Sequence, residues 1–238
     1  MLLLAPCLVP RAAAADELGP LLDRMDAAYA SVRSYTARFV REERVQGVMR
    51  PREEALLKFQ RPGSIYLHWI AGPPRGRELL CVAGRDDGKV LVHEPSGWAR
   101  LFTVVLAPDG PRVLRETRHA ITDIGLGPLV ALIVGNARRA LLRGEISVAE
   151  RGVEGPGGER RLELIFPRDP GAGYYAHRAL VSVDPGTGLP VAVRIFDAAD
   201  RLVAFYAYRE LALNVTLTGA DFDPANPAYG FPRWRVKW

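Results

Sequence analysis

Apolar and polar positions alternate along most of this chain, in two long groups separated by a block that follows another period. In the first group Tyr35, Ala37 and Phe39 alternate with polar neighbours, and Ala55, Leu57 and Phe59 face away from Glu54, Lys58 and Gln60. Such alternation predicts half-buried strands, each ended by a turn such as Arg61-Pro62-Gly63. Ile65 to Ile70 carries large side chains on both faces, which predicts a strand covered on both sides. Glu78–Ala83 and Val90–His93 read as a hairpin around Gly84 to Gly88, and Leu101–Leu106 as a further strand. The second group opens at Ile146 and Val148 and continues through Leu162, Leu164 and Phe166, then Val181 and Val183, then Val191, Val193 and Ile195. It closes on a strand from Leu202 to Leu211 and a tail rich in Pro and Asn.

Helical spacing appears in two places. Leu18, Leu21, Leu22, Met25, Ala28, Tyr29 and Val32 fall on one face of a helix ending near Arg33. The middle section reads as helices over Val113–Arg118 and Leu129–Leu142, and contains the apolar block Gly127-Pro128-Leu129-Val130-Ala131-Leu132-Ile133-Val134. Pro in the first turn suits a helix start and Gly144 a stop. The block is far shorter than the roughly 20 residues that span a bilayer, so it must bury itself against protein or against something the protein holds. Gly125, Gly127 and Gly135 bracket or interrupt it and would let it shift.

Short hairpin connections imply antiparallel pairing. So many one-sided strands make one large apolar face that only the helices can cover. The predicted class is therefore α+β, a strongly curved antiparallel sheet (a half-open β-barrel) with an N-terminal helix and a mid-chain helical lid on the concave face. No internal repeat or linker interrupts it, and residues 16–238 are expected to form one domain.

Composition adds compartment and excludes classes. With 48% hydrophobic and 25% charged residues the chain is globular. Leu2 to Pro10 forms a short apolar core and Ala12 to Ala15 supply small residues before Asp16, the pattern of a cleaved export signal over residues 1–15. The expectation is an exported, periplasmic protein. Cys81 is then the only cysteine left, inside an apolar strand, where it reads as a small buried hydrophobe. A net charge of +5 suits peripheral contact with an anionic membrane surface. The Arg residues are scattered among acids rather than clustered with aromatics, which argues against nucleic acid.

Motifs for catalysis are absent. His68, His93, His119 and His177 stand far apart, without metal-pair spacing, and no nucleophile elbow or phosphate-cradling loop occurs. No catalytic residue, metal or cofactor is expected; convergence of His68, His93 or Glu78 in one pocket would revive a metal-dependent hydrolase. Glu42-Glu43 and Glu53-Glu54 read as cross-strand ion pairs with Arg38, Arg41, Arg44 and Arg52. The oxygen-rich run from Asp221 to Pro227 reads as a turn in which Asp and Asn cap backbone amides.

Several runs of residues resemble the outer-membrane lipoprotein carrier (LolA-like) superfamily and, within it, a bacterial domain-of-unknown-function family, type 1571. They are Ser34 to Phe39 with Glu42-Glu43-Arg44, Pro62 to Leu67, Gly76 to Leu80 with Asp87-Gly88-Lys89, and Arg118 to Gly125. The closing Tyr208 to Leu211 with Asn214 to Phe231 completes the likeness, which runs over nearly the whole chain after the leader. It implies a non-enzymatic lipid or lipoprotein carrier. On that view Phe39, Leu57, Phe59, Leu67, Trp69, Val193 and Ile195 line the concave face, and Leu129, Leu132 and Ile133 form the lid. Rim arginines would meet anionic headgroups, and the partner would be an acyl chain or a lipidated protein. The alternative is an envelope protein-interaction scaffold with a filled core. The tail after Thr218 is longer and richer in Pro than a minimal carrier needs.

Overall fold

The computed structural model describes residues 13–237, so most of the expected leader lies outside the described residues. A helix, α1 (Ala13–Ala30), precedes seven strands: β1 (Ser34–Val45), β2 (Val48–Met49), β3 (Glu53–Gln60), β4 (Ser64–Ala71), β5 (Glu78–Cys81), β6 (Val90–His93) and β7 (Thr103–Leu106). A single turn, α2 (Pro111–Leu114), and the long α3 (Leu126–Leu142) follow. The chain then adds β8 (Ser147–Glu154), β9 (Glu159–Ile165), β10 (Arg178–Val183), β11 (Pro190–Phe196), β12 (Leu202–Leu213) and β13 (Arg235–Lys237).

All the strands belong to one open sheet in the order β13-β7-β6-β5-β4-β3-β1-β12-β11-β10-β9-β8, with β2 attached to β1 alone. The α+β class and the helices over one face are as the alternation predicts. Pairing is antiparallel throughout except that β13 lies parallel to β7. This exception arises because the tail crosses the sheet before it returns to the edge.

Alternation places Tyr35, Ala37 and Phe39 of β1, Leu57 and Phe59 of β3, and Leu67 and Trp69 of β4 in one core with Val193 and Ile195 of β11. Leu18, Leu22 and Met25 of α1 and Leu126, Leu129, Val130, Ile133 and Val134 of α3 cover it. The two helices are joined at their polar edges by Arg138, which reaches Asp23 at 2.5 Å and Asp26 at 2.6 Å.

The opposite face of β4 to β7 is also apolar, and the tail covers it. Tyr66, Leu80, Leu91 and Val105 pack with Phe222, Tyr229 and Phe231. Tyr66 stacks on Tyr229 with centroids 4.0 Å apart, and Lys58 Nζ donates to Asp221 at 2.7 Å and to Tyr229 at 3.2 Å. The Gly230 N–H donates to Glu78 Oε1 at 2.9 Å. A Cβ at Gly230 would stand 2.8 Å from the His93 ring, so this crossing needs glycine. The two-faced strand read at Ile65 to Ile70 thus has its second cover, and the long tail has its reason. Asp221 closes a capping box with Thr218, and Asp223 and Asn226 accept from Ala225 and Ala228 N–H, so the oxygen cluster is the expected turn.

Three elements differ from the sequence expectation. The helix expected over Val113–Arg118 is only the turn α2, because Thr117 Oγ1 bonds the Val113 and His119 carbonyls and redirects the chain. The strand expected from Leu101 starts at Thr103, after a 3-10 turn over Trp98–Leu101. The helix expected from Leu129 begins three residues earlier, at Leu126.

Replacing Tyr229 by Ala removes the stack on Tyr66 and the partner of Lys58. The expected result is a loss of about 1–3 kcal/mol in thermal or denaturant unfolding, together with faster proteolytic release of the tail from an otherwise resistant sheet.

Candidate functional site

The central pair of the sheet sets the site. β1 and β12 run antiparallel with Phe39 opposite Tyr208, Arg41 opposite Tyr206 and Glu43 opposite Ala204. Odd-numbered residues of β1 face the helices, so the side that carries Phe39 also carries Arg41 and Glu43. These side chains, Tyr206 and Tyr208, the 117–125 connection and the first turn of α3 enclose a cavity of about 270 Å³. Phe39, Ile124, Leu129, Leu132 and Tyr208 make its apolar wall, while Arg41, Glu43, His119, Asp123 and Tyr206 gather at its polar end.

The start of α3 is tied to the sheet by two phenols. The N–H of Gly125 donates to Tyr208 Oη at 3.1 Å and the N–H of Leu126 to Tyr35 Oη at 3.0 Å, both bonds buried. They satisfy donors that a helix N-terminus otherwise leaves open. Gly125 has φ 134°, and a Cβ there would lie 2.8 Å from the Tyr35 hydroxyl; at Gly127 it would lie 2.2 Å from that of Tyr29. Both glycines therefore serve close approach to tyrosines rather than freedom of the lid. Only at Gly135, of the three, is the space open.

Two polar networks occupy the floor. Arg41, 5% exposed, donates through Nε and Nη2 to Glu53 Oε2 at 3.0 and 2.8 Å, and Trp69 Nε1 donates to the same oxygen at 2.9 Å. Glu43, 4% exposed, accepts from the Tyr206 hydroxyl and from the Arg118 N–H at 3.4 Å. Burial and the Glu43 carboxylate push the Tyr206 phenol far above its ordinary range, so it keeps its proton and remains a donor. His119 Nε2 and Tyr175 Oη are 2.6 Å apart, and the Arg118 guanidinium lies over the Tyr175 ring. Burial chiefly, with Arg118 adding to it and Glu43 and Asp123 opposing, holds His119 below its usual value near 6.5.

Of the residues expected to line the site, Phe39, Leu129 and Leu132 border this cavity. Leu132 also borders a space of about 30 Å³ with Ile133, Val193 and Ile195, and Trp69 one of about 40 Å³ beside Arg77 and Glu116. Leu57, Phe59 and Leu67 are buried in the packed core between sheet and helices. The expected ion pairs form between Arg38 and Glu54, Arg41 and Glu53, and Arg52 and Glu42. Glu43 and Arg44 are the exceptions: Glu43 is held by a phenol and an amide, and Arg44 donates to the Leu202 and Gly47 carbonyls.

The polar end was not singled out from the sequence, although its signal was there: Arg41 and Glu43 keep the odd register of Phe39. Cys81 is buried and unpaired, as its strand implies. His68, Glu78 and His93 are cross-strand neighbours on the other face. Glu78 and His93 lie beneath the tail, with Glu78 held by Tyr66 and Gly230 and the His93 ring near Phe231, and none of the three residues borders the spaces described.

Two outcomes follow. Tyr208→Phe leaves the buried Gly125 N–H without its acceptor and should lower stability by about 1–2 kcal/mol, read as a fall of several degrees in Tm. His119 binds its proton less readily folded than unfolded, so its contribution is complete above about pH 6.5 and is lost as pH falls from there toward the depressed value. Denaturant unfolding between pH 7.5 and 5.5 should show this loss, and His119→Gln should flatten the slope.

Among the described residues no helix is long and apolar enough to cross a membrane. The fold is similar to that of an uncharacterized conserved protein from Thermus thermophilus, with a TM-score of 0.50 at 10% identity over 93% of this chain and 99% of that one. The lipoprotein LppX of Mycobacterium tuberculosis gives 0.49 at 11% identity over 85% and 99%. A LolA superfamily protein from Nitrosomonas europaea gives 0.39 at 15% over 86% and 96%. No curated relative matches by sequence. The profile described as "Protein of unknown function (DUF1571)" matches residues 32–231, the span of the motifs read above, and the chain belongs to that family.

Proposed function

We propose that this protein is a non-enzymatic binding protein that holds the apolar part of an amphiphile, an acyl chain or a lipidated partner, between β1, β12 and α3. The observation that carries this reading is the cavity itself. Its volume of about 270 Å³ lies near the lower end of small-ligand pockets, which begin at about 300 Å³. An apolar wall with polar groups at one end is the arrangement that orients a ligand having a greasy chain and a polar head. Each methylene taken from water contributes about 0.8 kcal/mol, so even a partly enclosed chain is held usefully. The export leader expected from the sequence and the resemblance to carrier proteins support the same reading and a periplasmic setting.

The packing around Leu57, Phe59 and Leu67 favours the second reading, a protein-interaction scaffold, because there the concave face is filled by the protein's own side chains. The cavity beside Phe39 separates the two.

Native mass spectrometry of protein purified from its own envelope should show bound lipid, and the emptied protein should take up a fluorescent fatty acid. Leu132→Trp fills the cavity with an indole, and uptake should fall at least about tenfold with Tm unchanged or raised, as cavity filling commonly gives. Absence of both bound lipid and uptake in the parent chain overturns the carrier reading in favour of the scaffold.

A further inference from the structure

Independently of the cavity, the geometry points to a second surface: we propose that the corner where the 98–102 turn meets β13 is a docking face for an anionic lipid bilayer. The 3-10 turn Trp98–Leu101 leaves Trp98 60% and Leu101 57% exposed, and the tail adds Trp234 at 77%. These segments are held together by backbone. The Thr103 N–H donates to the Trp234 carbonyl at 2.7 Å, Thr103 Oγ1 to the Pro232 carbonyl at 2.6 Å, and Arg235 pairs with Thr103 in register. Trp98 meets the Phe102 ring edge-on with centroids 6.2 Å apart. The position of both rings at one corner therefore follows from the parallel β13–β7 pair, and the corner is built on a sheet edge.

Charge decides the occupant. Arg100 sits in the turn, and Arg233, Arg235 and Lys237 surround Trp234, all of them exposed. Arg235 is bound to Asp86 at 2.5 Å, whereas Arg100, Arg233 and Lys237 have no ion pair among the described residues. Protein interfaces share the Trp and Arg but are depleted of Lys and of charge at their core, whereas these rings are surrounded by four cations. Large exposed rings interleaved with uncompensated cations match a bilayer interface instead. There the indoles settle at the level of the headgroups while guanidinium and ammonium groups meet lipid phosphates. The net charge of +5 attracts the whole molecule in the same sense.

The test is partition of the full chain onto vesicles of phosphatidylglycerol and phosphatidylcholine against vesicles of phosphatidylcholine alone, at low and high salt. Binding to the anionic vesicles, weakened by salt, is expected. Each cation near such a surface contributes about fivefold in partition. Neutralising three as Arg100→Gln, Arg233→Gln and Lys237→Gln should thus reduce binding more than about tenfold, with thermal unfolding unchanged. Trp98→Ala with Trp234→Ala should reduce it similarly and lessen the quenching of tryptophan fluorescence by brominated lipid, measured against the parent's four tryptophans. Equal partition onto both vesicle types, or variants that bind like the parent, would overturn the proposal. So would a parent chain that ignores anionic vesicles, which would leave the rings to a protein partner.

Discussion

The pairing of β1 with β12 is the constraint on which the other features rest. It joins residues 35–43 to residues 204–213, the beginning of the sheet to its last long strand, and encloses the rest of the fold between them. Because Phe39 stands opposite Tyr208 and Arg41 opposite Tyr206, one register fixes three things together: the apolar wall, the polar floor, and the phenol that receives the start of α3. A slip of one residue would turn Phe39, Arg41 and Glu43 to the other face. The wall, the floor and the anchor of the lid would be lost in one step.

Polar groups are carried under an apolar lid only because each is compensated. A buried ion without partners is strongly unfavourable, and here Arg41 has Glu53 while Glu43 has the Tyr206 hydroxyl and a backbone amide. The two solutions differ. Arg41 is spent on a carboxylate that also serves Trp69, so rim arginines as receivers of anionic headgroups are not what this floor emphasises. Glu43 has no cation in direct contact among the described residues, and the neighbouring His119 is held toward its neutral form. The polar end of the cavity is thus a hydrogen-bonding floor more than a cationic one.

How much of this was legible in the sequence follows from the range of each interaction. Alternation at Tyr35-Ala37-Phe39 or at Leu57-Phe59 is local, and it gave strand, face and burial correctly. The two-sided strand at Ile65 to Ile70 even announced a second cover. What covers it was not legible, because Tyr229 meets Tyr66 across more than half the chain and nothing near either residue says so. The α2 segment misled for the opposite reason, since a helical run of side chains was overruled by one hydroxyl, Thr117, bonding two carbonyls. The cavity is less legible still. It is the volume that α3 leaves unfilled beside Phe39, and its place depends on where two tyrosines hold the helix.

The attachment of that helix is uneven, and the unevenness bears on how the cavity is held. Its first turn is bound by buried hydrogen bonds to Tyr35 and Tyr208 and pressed against Tyr29 at Gly127. Toward its other end the polar links lie nearer the surface, from Arg138 to Asp23 and Asp26 of α1, from Arg139 to the Gly173 carbonyl, and from the Tyr175 N–H to Asn136 Oδ1. Exposed ion pairs contribute little to stability and weaken with salt, whereas a buried amide deprived of its acceptor costs about 1–3 kcal/mol. The end of the lid beside the cavity is therefore the firmly held one, and α1 touches both ends, through Tyr29 at Gly127 and through the exposed pairs to Arg138. Two of the three glycines that look like hinges in the sequence, Gly125 and Gly127, are the positions where α3 is clamped, so the cavity's shape is set by tyrosine hydroxyls rather than by chain freedom.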